Sequence, residues 1–154
     1  MILDVDGVLS DGRIIYDEKG MEHKVFDVHD GYAIRMAGLT GIRFAIISGR
    51  RSKVVPHRAR ELGIGDVFQG VRDKVPVMKE LLIKNRIPAA EVCCIGDDEP
   101  DLGILRAAGF SAAPAGAVKA VRDAVDYVTA ASGGGGAIRE VLDMILKHKR
   151  APRV

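Results

Sequence analysis

Two stretches of this chain, Ile42-Arg43-Phe44-Ala45-Ile46-Ile47 and Val92-Cys93-Cys94-Ile95, are apolar almost without a break. Strands read this way when both faces of their sheet are covered, as in parallel sheets flanked by helices. Further strands are expected over 1–4, 110–113 and 125–128. Helices are expected over 31–38, 51–62, 74–85, 99–108, 117–123 and 136–148. In 74–85, for example, Val75, Met78, Leu81 and Leu82 follow helical spacing, with Lys79, Glu80 and Lys84 on the other face. Strand and helix alternate, which predicts an α/β fold of three layers (α/β/α), Rossmann-like, around a mostly parallel sheet. At 154 residues the chain is read as one domain, 1–154, large enough for a real core.

One segment departs from the alternation. Residues 13–17 and 22–27 read as short strands around Asp17-Glu18-Lys19-Gly20, a β-hairpin inserted over 13–27. It projects from the first strand, so it is expected to flank whatever site lies there or to meet another subunit. Ser132-Gly133-Gly134-Gly135-Gly136 has no Gly-Lys-Ser/Thr after it and is read as a flexible connection into the last helix.

Charge and composition exclude several classes. The net charge of +2 gives no global case for nucleic acid, and the basic cluster Lys147, Lys149, Arg150 and Arg153 is read as a solvated helix end favoured by the helix dipole. No apolar run reaches the ~18 residues that a membrane span needs. Met1 leads straight into the first strand, so no signal peptide is expected and the protein is placed in the cytoplasm. Cys93 and Cys94 are adjacent and would point to opposite faces of a strand, so they are read as buried apolar residues and not as a disulfide.

The chemistry begins at Leu3-Asp4-Val5-Asp6-Gly7. An apolar run ends in two aspartates two apart, at the carboxyl end of a strand, where open α/β sheets bind ligands. Such a pair suits a hard cation together with nucleophilic and acid–base chemistry. Three later segments also follow strands or open helices. Ser48-Gly49 places a hydroxyl and backbone N–H groups where a phosphoryl oxygen can bind. Asp73-Lys74 opens a helix, and Gly96-Asp97-Asp98 follows the second buried strand, with Asp101 one turn on. Crowded carboxylates repel by about 4 kcal/mol at ~4 Å and an effective dielectric of 20. That repulsion is the argument for a metal ion among them.

In this order, Asp4-Val5-Asp6-Gly7-Val8, Ser48, Lys74 and Gly96-Asp97-Asp98-Glu99-Pro100-Asp101 resemble the four motifs of the haloacid dehalogenase-like phosphatases, over the whole chain. Four segments are similar to the small, cap-less branch that includes the 3-deoxy-D-manno-octulosonate 8-phosphate phosphatases. They are 4–12, Phe26-Asp27-Val28-His29-Asp30-Gly31, Arg58-Ala59-Arg60-Glu61-Leu62-Gly63 and Gly134-Gly135-Gly136-Ala137-Ile138-Arg139-Glu140. Spacing agrees: 43 residues separate Asp4 from Ser48 and 25 separate Ser48 from Lys74, the latter filled by a helix and a short strand. Neither gap holds a cap domain.

The resemblance implies a mechanism. Asp4 is the nucleophile, Asp6 the general acid and then base, and Ser48, Gly49 and Lys74 hold the phosphoryl group. Mg²⁺ is held by Asp4, the Asp6 backbone carbonyl and Asp97, with Asp98 and Asp101 in support. Arg50, Arg51 and Arg58 are candidates for the sugar end of a small phosphorylated sugar acid. Arginine at position 50 accompanies the eight-carbon acid in this branch, and glutamate the nine-carbon one. The branch is typically tetrameric through its hairpins, so a homotetramer is expected, with no nucleic acid or membrane partner. Two other readings stay open: a phosphatase of the nine-carbon acid or another small metabolite, and a non-catalytic assembly domain related to that of sialic acid activating enzymes.

Overall fold

The computed structural model of the chain describes residues 1–150, with the backbone alone for 149 and 150. Lys147 of the basic cluster is exposed. The side chains of Lys149 and Arg150, and all of Arg153, lie outside the described residues.

Six parallel strands form the central sheet: β1 (Ile2–Leu3), β4 (Ala45–Ser48), β5 (Asp66–Gln69), β6 (Cys93–Ile95), β7 (Phe110–Ala113) and β8 (Tyr127–Val128), in the order β5-β4-β1-β6-β7-β8. The remaining two strands, β2 (Ile15–Tyr16) and β3 (Glu22–His23), pair antiparallel as the expected hairpin. Its ladder is shorter than the sequence suggests. Asp17 takes over the turn, its side chain accepting from the N–H of Lys19 (2.9 Å) and of Met21 (2.8 Å).

Alternation along the buried strands builds two cores. Leu3, Ile46, Cys93, Ile95 and Ala112 face one side, where α1 (Val28–Leu39), α2 (Val54–Leu62) and α6 (Ala137–Arg150) supply Ile34, Ala37, Val55, Ala59, Ile138 and Leu142. Ile2, Ala45, Ile47, Cys94 and Ala113 face the other. There α3 (Lys74–Asn85), α4 (Leu102–Ala107) and α5 (Lys119–Arg122) supply Met78, Leu81, Ile104, Leu105 and Val121. Cys93 and Cys94 therefore belong to different cores; both are free, and burial pushes both thiols up to about 12. The α/β/α layering stands as the sequence implies. Among the described residues, the hairpin, α1 and β4 fill the chain from Asp4 to Ser48, leaving no separate cap.

Several boundaries move for local reasons. The helix expected from 31 begins at Val28, because Asp27 accepts from the N–H of His29 (2.7 Å) and Asp30 (2.9 Å) and caps it. The helix expected over 99–108 is a 3₁₀ turn, Glu99–Asp101, that runs into α4. The short strand between Ser48 and Lys74 is β5, at the sheet edge and half-buried throughout.

The glycine run corrects the sequence reading. It is not a loose connection but is packed against the loop that follows β1. Gly134 donates to the Val8 carbonyl (3.0 Å), and a side chain on Gly133 would run into the Gly7 carbonyl. Buried Asp30 closes the arrangement from α1. Its carboxylate accepts from the N–H of Gly136 (3.2 Å) and Arg139 (2.7 Å), capping α6. Only glycine allows two backbones to approach this closely.

Candidate active site

Register brings the motif residues together. Leu3 pairs with Ile46 on one side and Ile95 on the other. Asp4 is therefore level with Ile47 and Gly96, and Ser48 and Asp97 lie one residue further along their strands. Neighbouring strands are about 4.8 Å apart. Asp4, Ser48 and Asp97 thus share the carboxyl rim of three adjacent strands, the place where such sheets bind ligands. The chain leaves β1 through a single wide turn over Val5–Leu9, closed by Ser10 N–H donating to the Val5 carbonyl (2.9 Å). Gly7 takes φ +89° in that turn, and any side chain there would overlap the Asp97 carboxylate. The two aspartate motifs therefore touch because position 7 is glycine.

Lys74 reaches this rim from the first turn of α3, whose N-cap Asp73 accepts from Val75 N–H (3.1 Å). Its side chain is 3% exposed, and its ammonium donates to Asp4 Oδ1 (2.6 Å) and Asp101 Oδ1 (2.5 Å). The other oxygen of Asp101 accepts from the N–H of Asp97 (3.1 Å) and Asp98 (3.4 Å). Asp101 thereby orients both Lys74 and the Asp97 loop. Asp98 caps its own turn through Glu99 N–H (2.8 Å).

Burial dominates the electrostatics. It pushes the Asp4 carboxyl up to about 6, against the attraction of Lys74 and with added repulsion from Asp101. It pushes Asp97 up to about 7, with Asp4, Asp101 and Asp98 adding like charge. Burial works against the charge of Lys74, but Asp4 and Asp101 outweigh it and hold its pKa above the ordinary lysine value.

Ligand atoms of Asp4, Asp97 and Asp101 lie within 4.8 Å of one another. Asp101 is committed to Lys74 and two N–H groups, whereas Asp97 Oδ1 is buried with no hydrogen-bond partner. An orphaned carboxylate oxygen beside a second carboxylate is costly. A hard divalent cation removes that cost, and the all-oxygen donor set fits one.

Asp6 turns away from this cluster toward the hairpin. Lys24 is paired with Asp6 Oδ1 and lies 3.3 Å from Glu22 Oε1. Arg50, two residues past Ser48, donates to Glu22 Oε1 (2.7 Å) and lies 3.5 Å from Asp6 Oδ2. The motifs in the sequence do not single out Glu22 or Lys24. Alternation gave no signal for them: the charged Glu22 and Lys24 lie on the partly buried face with Phe26, while apolar Met21 and Val25 are exposed, the reverse of the usual pattern.

The remaining arginines lie elsewhere. Arg51 packs over Gly70, after β5. Arg58 donates to the Asp27 carbonyl (3.2 Å) and Glu61 (3.1 Å) and lies over the Phe26 ring, at the base of the hairpin.

A parallel α/β/α domain with an aspartate nucleophile candidate, a buried lysine and a carboxylate cation site at one rim is the architecture of a phosphoryl-transfer hydrolase. Residues 60–142 match the model of the haloacid dehalogenase-like hydrolase family, and the chain belongs to that family. Within it, the chain is 44% identical over 146 residues to the 3-deoxy-D-manno-octulosonate 8-phosphate phosphatase KdsC of Escherichia coli K12, covering 95% of this chain and 78% of that protein. The phosphatase of the same name from Moraxella catarrhalis was solved with magnesium, phosphate and KDO. It superposes with a TM-score of 0.92 at 44% identity, covering 95% of this chain and 84% of the other. The cobalt-bound phosphatase from Haemophilus influenzae gives 0.91 at 42% identity, covering 95% and 85%.

Proposed function

We propose that this protein is a Mg²⁺-dependent phosphatase of 3-deoxy-D-manno-octulosonate 8-phosphate, working through an aspartyl-phosphate on Asp4. The observation that carries the reading is the orphaned Asp97 oxygen beside Asp4, with Lys74 buried against the same aspartate. The named activity of relatives at 44% identity supports the substrate, as does Arg50 next to Asp6 at the rim.

Asp4 attacks phosphorus, so a bond forms from its carboxylate oxygen while the bond to the sugar oxygen breaks. Asp6 gives its proton to that departing oxygen, then takes one from the water that hydrolyses the intermediate. Splitting one hard displacement into two easier ones is the gain from covalent catalysis, and a single carboxyl serves both proton transfers. Ser48 and the Gly49 N–H hold the phosphoryl oxygens. Lys74 neutralises charge there and Asp101 fixes its position. Asp4, Asp97 and the Asp6 carbonyl would hold Mg²⁺, which supplies charge neutralisation for the phosphoryl oxygens.

The reading also includes self-association and a cytoplasmic setting, with residues 1–154 acting as one catalytic domain. Ile15, Tyr16 and Val25 on the hairpin and Val28 and Tyr32 on α1 are exposed, Val25 by 65% and Val28 by 72%. Apolar surface of this kind supports a homotetramer joined through hairpins, which would also shelter a site that has no cap. Among the described residues, no helix is long and apolar enough to cross a membrane.

The test is phosphate release with Mg²⁺ from the eight-carbon ester, from the nine-carbon acid phosphate and from a panel of other phosphate esters. EDTA and Asp4→Asn serve as controls. Preferential turnover of the eight-carbon ester, lost in both controls, is expected. Equal slow turnover of all esters overturns the substrate assignment, and no turnover overturns the catalytic one.

A further inference from the structure

We propose that Lys24 is a positioning residue for Asp6, and that the hairpin sets the geometry of the acid–base step within its own subunit. The inference rests on the acid–base role proposed above for Asp6.

With Asp6 ionised, the form it has after protonating the departing oxygen and before taking a proton from water, four charged groups of alternating sign form a closed ring: Asp6, Lys24, Glu22, Arg50 and back to Asp6. They come from three segments: the loop after β1, the hairpin, and the turn after β4. Lys24 has the least exposed side chain of the four. Its side chain is 1% exposed, against 14% for Glu22, 19% for Asp6 and 41% for Arg50. A lysine is almost never fully buried unless paired, and here the pairing runs to the carboxylate that moves protons.

The ring treats the two oxygens of Asp6 differently. Oδ1 is taken by the ammonium of Lys24. Oδ2 has the Arg50 Nε at 3.5 Å, beyond a good hydrogen bond. The torsion that turns an aspartate carboxylate is soft and roughly two-fold. Holding Oδ1 selects one orientation and leaves Oδ2 as the oxygen that meets the departing group. Glu22 in turn holds Lys24, at 3.3 Å, so the hairpin carries the positioning device as a pair.

The test separates this role from a purely structural one through the leaving group. An alkoxide leaving from a primary alkyl phosphate needs a proton, whereas p-nitrophenolate leaves without one. kcat/KM reports the steps up to transfer onto Asp4, where this difference acts. At saturating Mg²⁺, Lys24→Met is expected to lower kcat/KM for the alkyl ester by about 10- to 100-fold. The loss for p-nitrophenyl phosphate should be at least about fivefold smaller, given that acid catalysis is the part removed. Lys24→Arg should recover most of the loss. In an Asp6→Asn background, Lys24→Met should cause little further loss on the alkyl ester. Glu22→Gln keeps the ring's shape and should shift the same ratio in the same direction, which provides the reading if Lys24→Met does not fold. Equal losses on both esters, or losses that multiply with Asp6→Asn, overturn the proposal. A simple alkyl phosphate is used, so a wrong sugar-acid assignment changes the rates with that sugar ester and leaves this ratio intact.

Discussion

Two charged assemblies stand at the same rim of the sheet, and they are held in opposite ways. Asp4, Lys74 and Asp101 come from the end of β1, the start of α3 and the 3₁₀ turn that leads into α4, elements held by both cores. The ring of Asp6, Lys24, Glu22 and Arg50 depends on a hairpin with two strands of two residues each, a ladder too short to be stable alone. In the first, packing places the charges. In the second, the ion pairs act beside Phe26, which packs on the core, in seating the segment that carries them. On the proposed mechanism, phosphoryl chemistry would fall to the first assembly, and the proton transfers of Asp6 would be oriented by the second.

The largest expected effect strikes the rigid assembly. Asp4→Asn keeps the shape and removes the proposed nucleophile, so phosphate release should fall by more than about 10⁴-fold. Far-UV circular dichroism should be unchanged. Lys74→Met leaves Asp4 and Asp101 facing each other without a cation. A stability loss of about 3–5 kcal/mol is expected at pH 8, by denaturant unfolding without metal. At pH 5 the loss should shrink as the carboxyls protonate; an equal loss at both would place the energetics in packing instead.

Gly133→Ala tests the backing of the rigid side, because its methyl group meets the Gly7 carbonyl. A loss of about 1–3 kcal/mol with a fall in kcat is expected, whereas an alanine at Gly38, on α1, meets no neighbouring atom. A smaller effect is set by pH. Folded Asp97 titrates near 7 and the unfolded chain near 3.8. The folded state binds more protons between these values, so stability falls as pH rises through that window. The Tm in EDTA should therefore drop from pH 5 to pH 8, and saturating Mg²⁺ should flatten the drop. The smallest effect belongs to the hairpin's outer face. Val25→Ser should change subunit stability by no more than about 0.5 kcal/mol while lowering the mass seen in light scattering. An unchanged mass would remove the hairpin from the proposed subunit contact.

Much of this was legible in the chain itself. The apolar runs at 42–47 and 92–95 announced buried parallel strands, because two-sided burial leaves no room for polar alternation. Asp4, Ser48 and Asp97 could be placed at one rim before any coordinates, since each lies at or just past the end of a strand. Lys24 could not be singled out, because a lysine in a hairpin reads as solvated until the fold shows which groups surround it. The glycine run misled for a related reason: glycine serves both flexibility and close approach, and only the position of Gly7 and Ser10 beneath it decides which.

The sequence by itself determined the layering, the parallel sheet and the identities of the rim carboxylates, all consequences of local period and of the residues that end each strand. Tertiary structure alone decided that Lys74 bridges Asp4 and Asp101 across 70 and 27 residues of chain, that Asp97 keeps an orphaned oxygen, and that Lys24 is buried on Asp6. These are distances between segments remote in the chain, and a charge acquires its function from the dielectric and the partners that packing places around it.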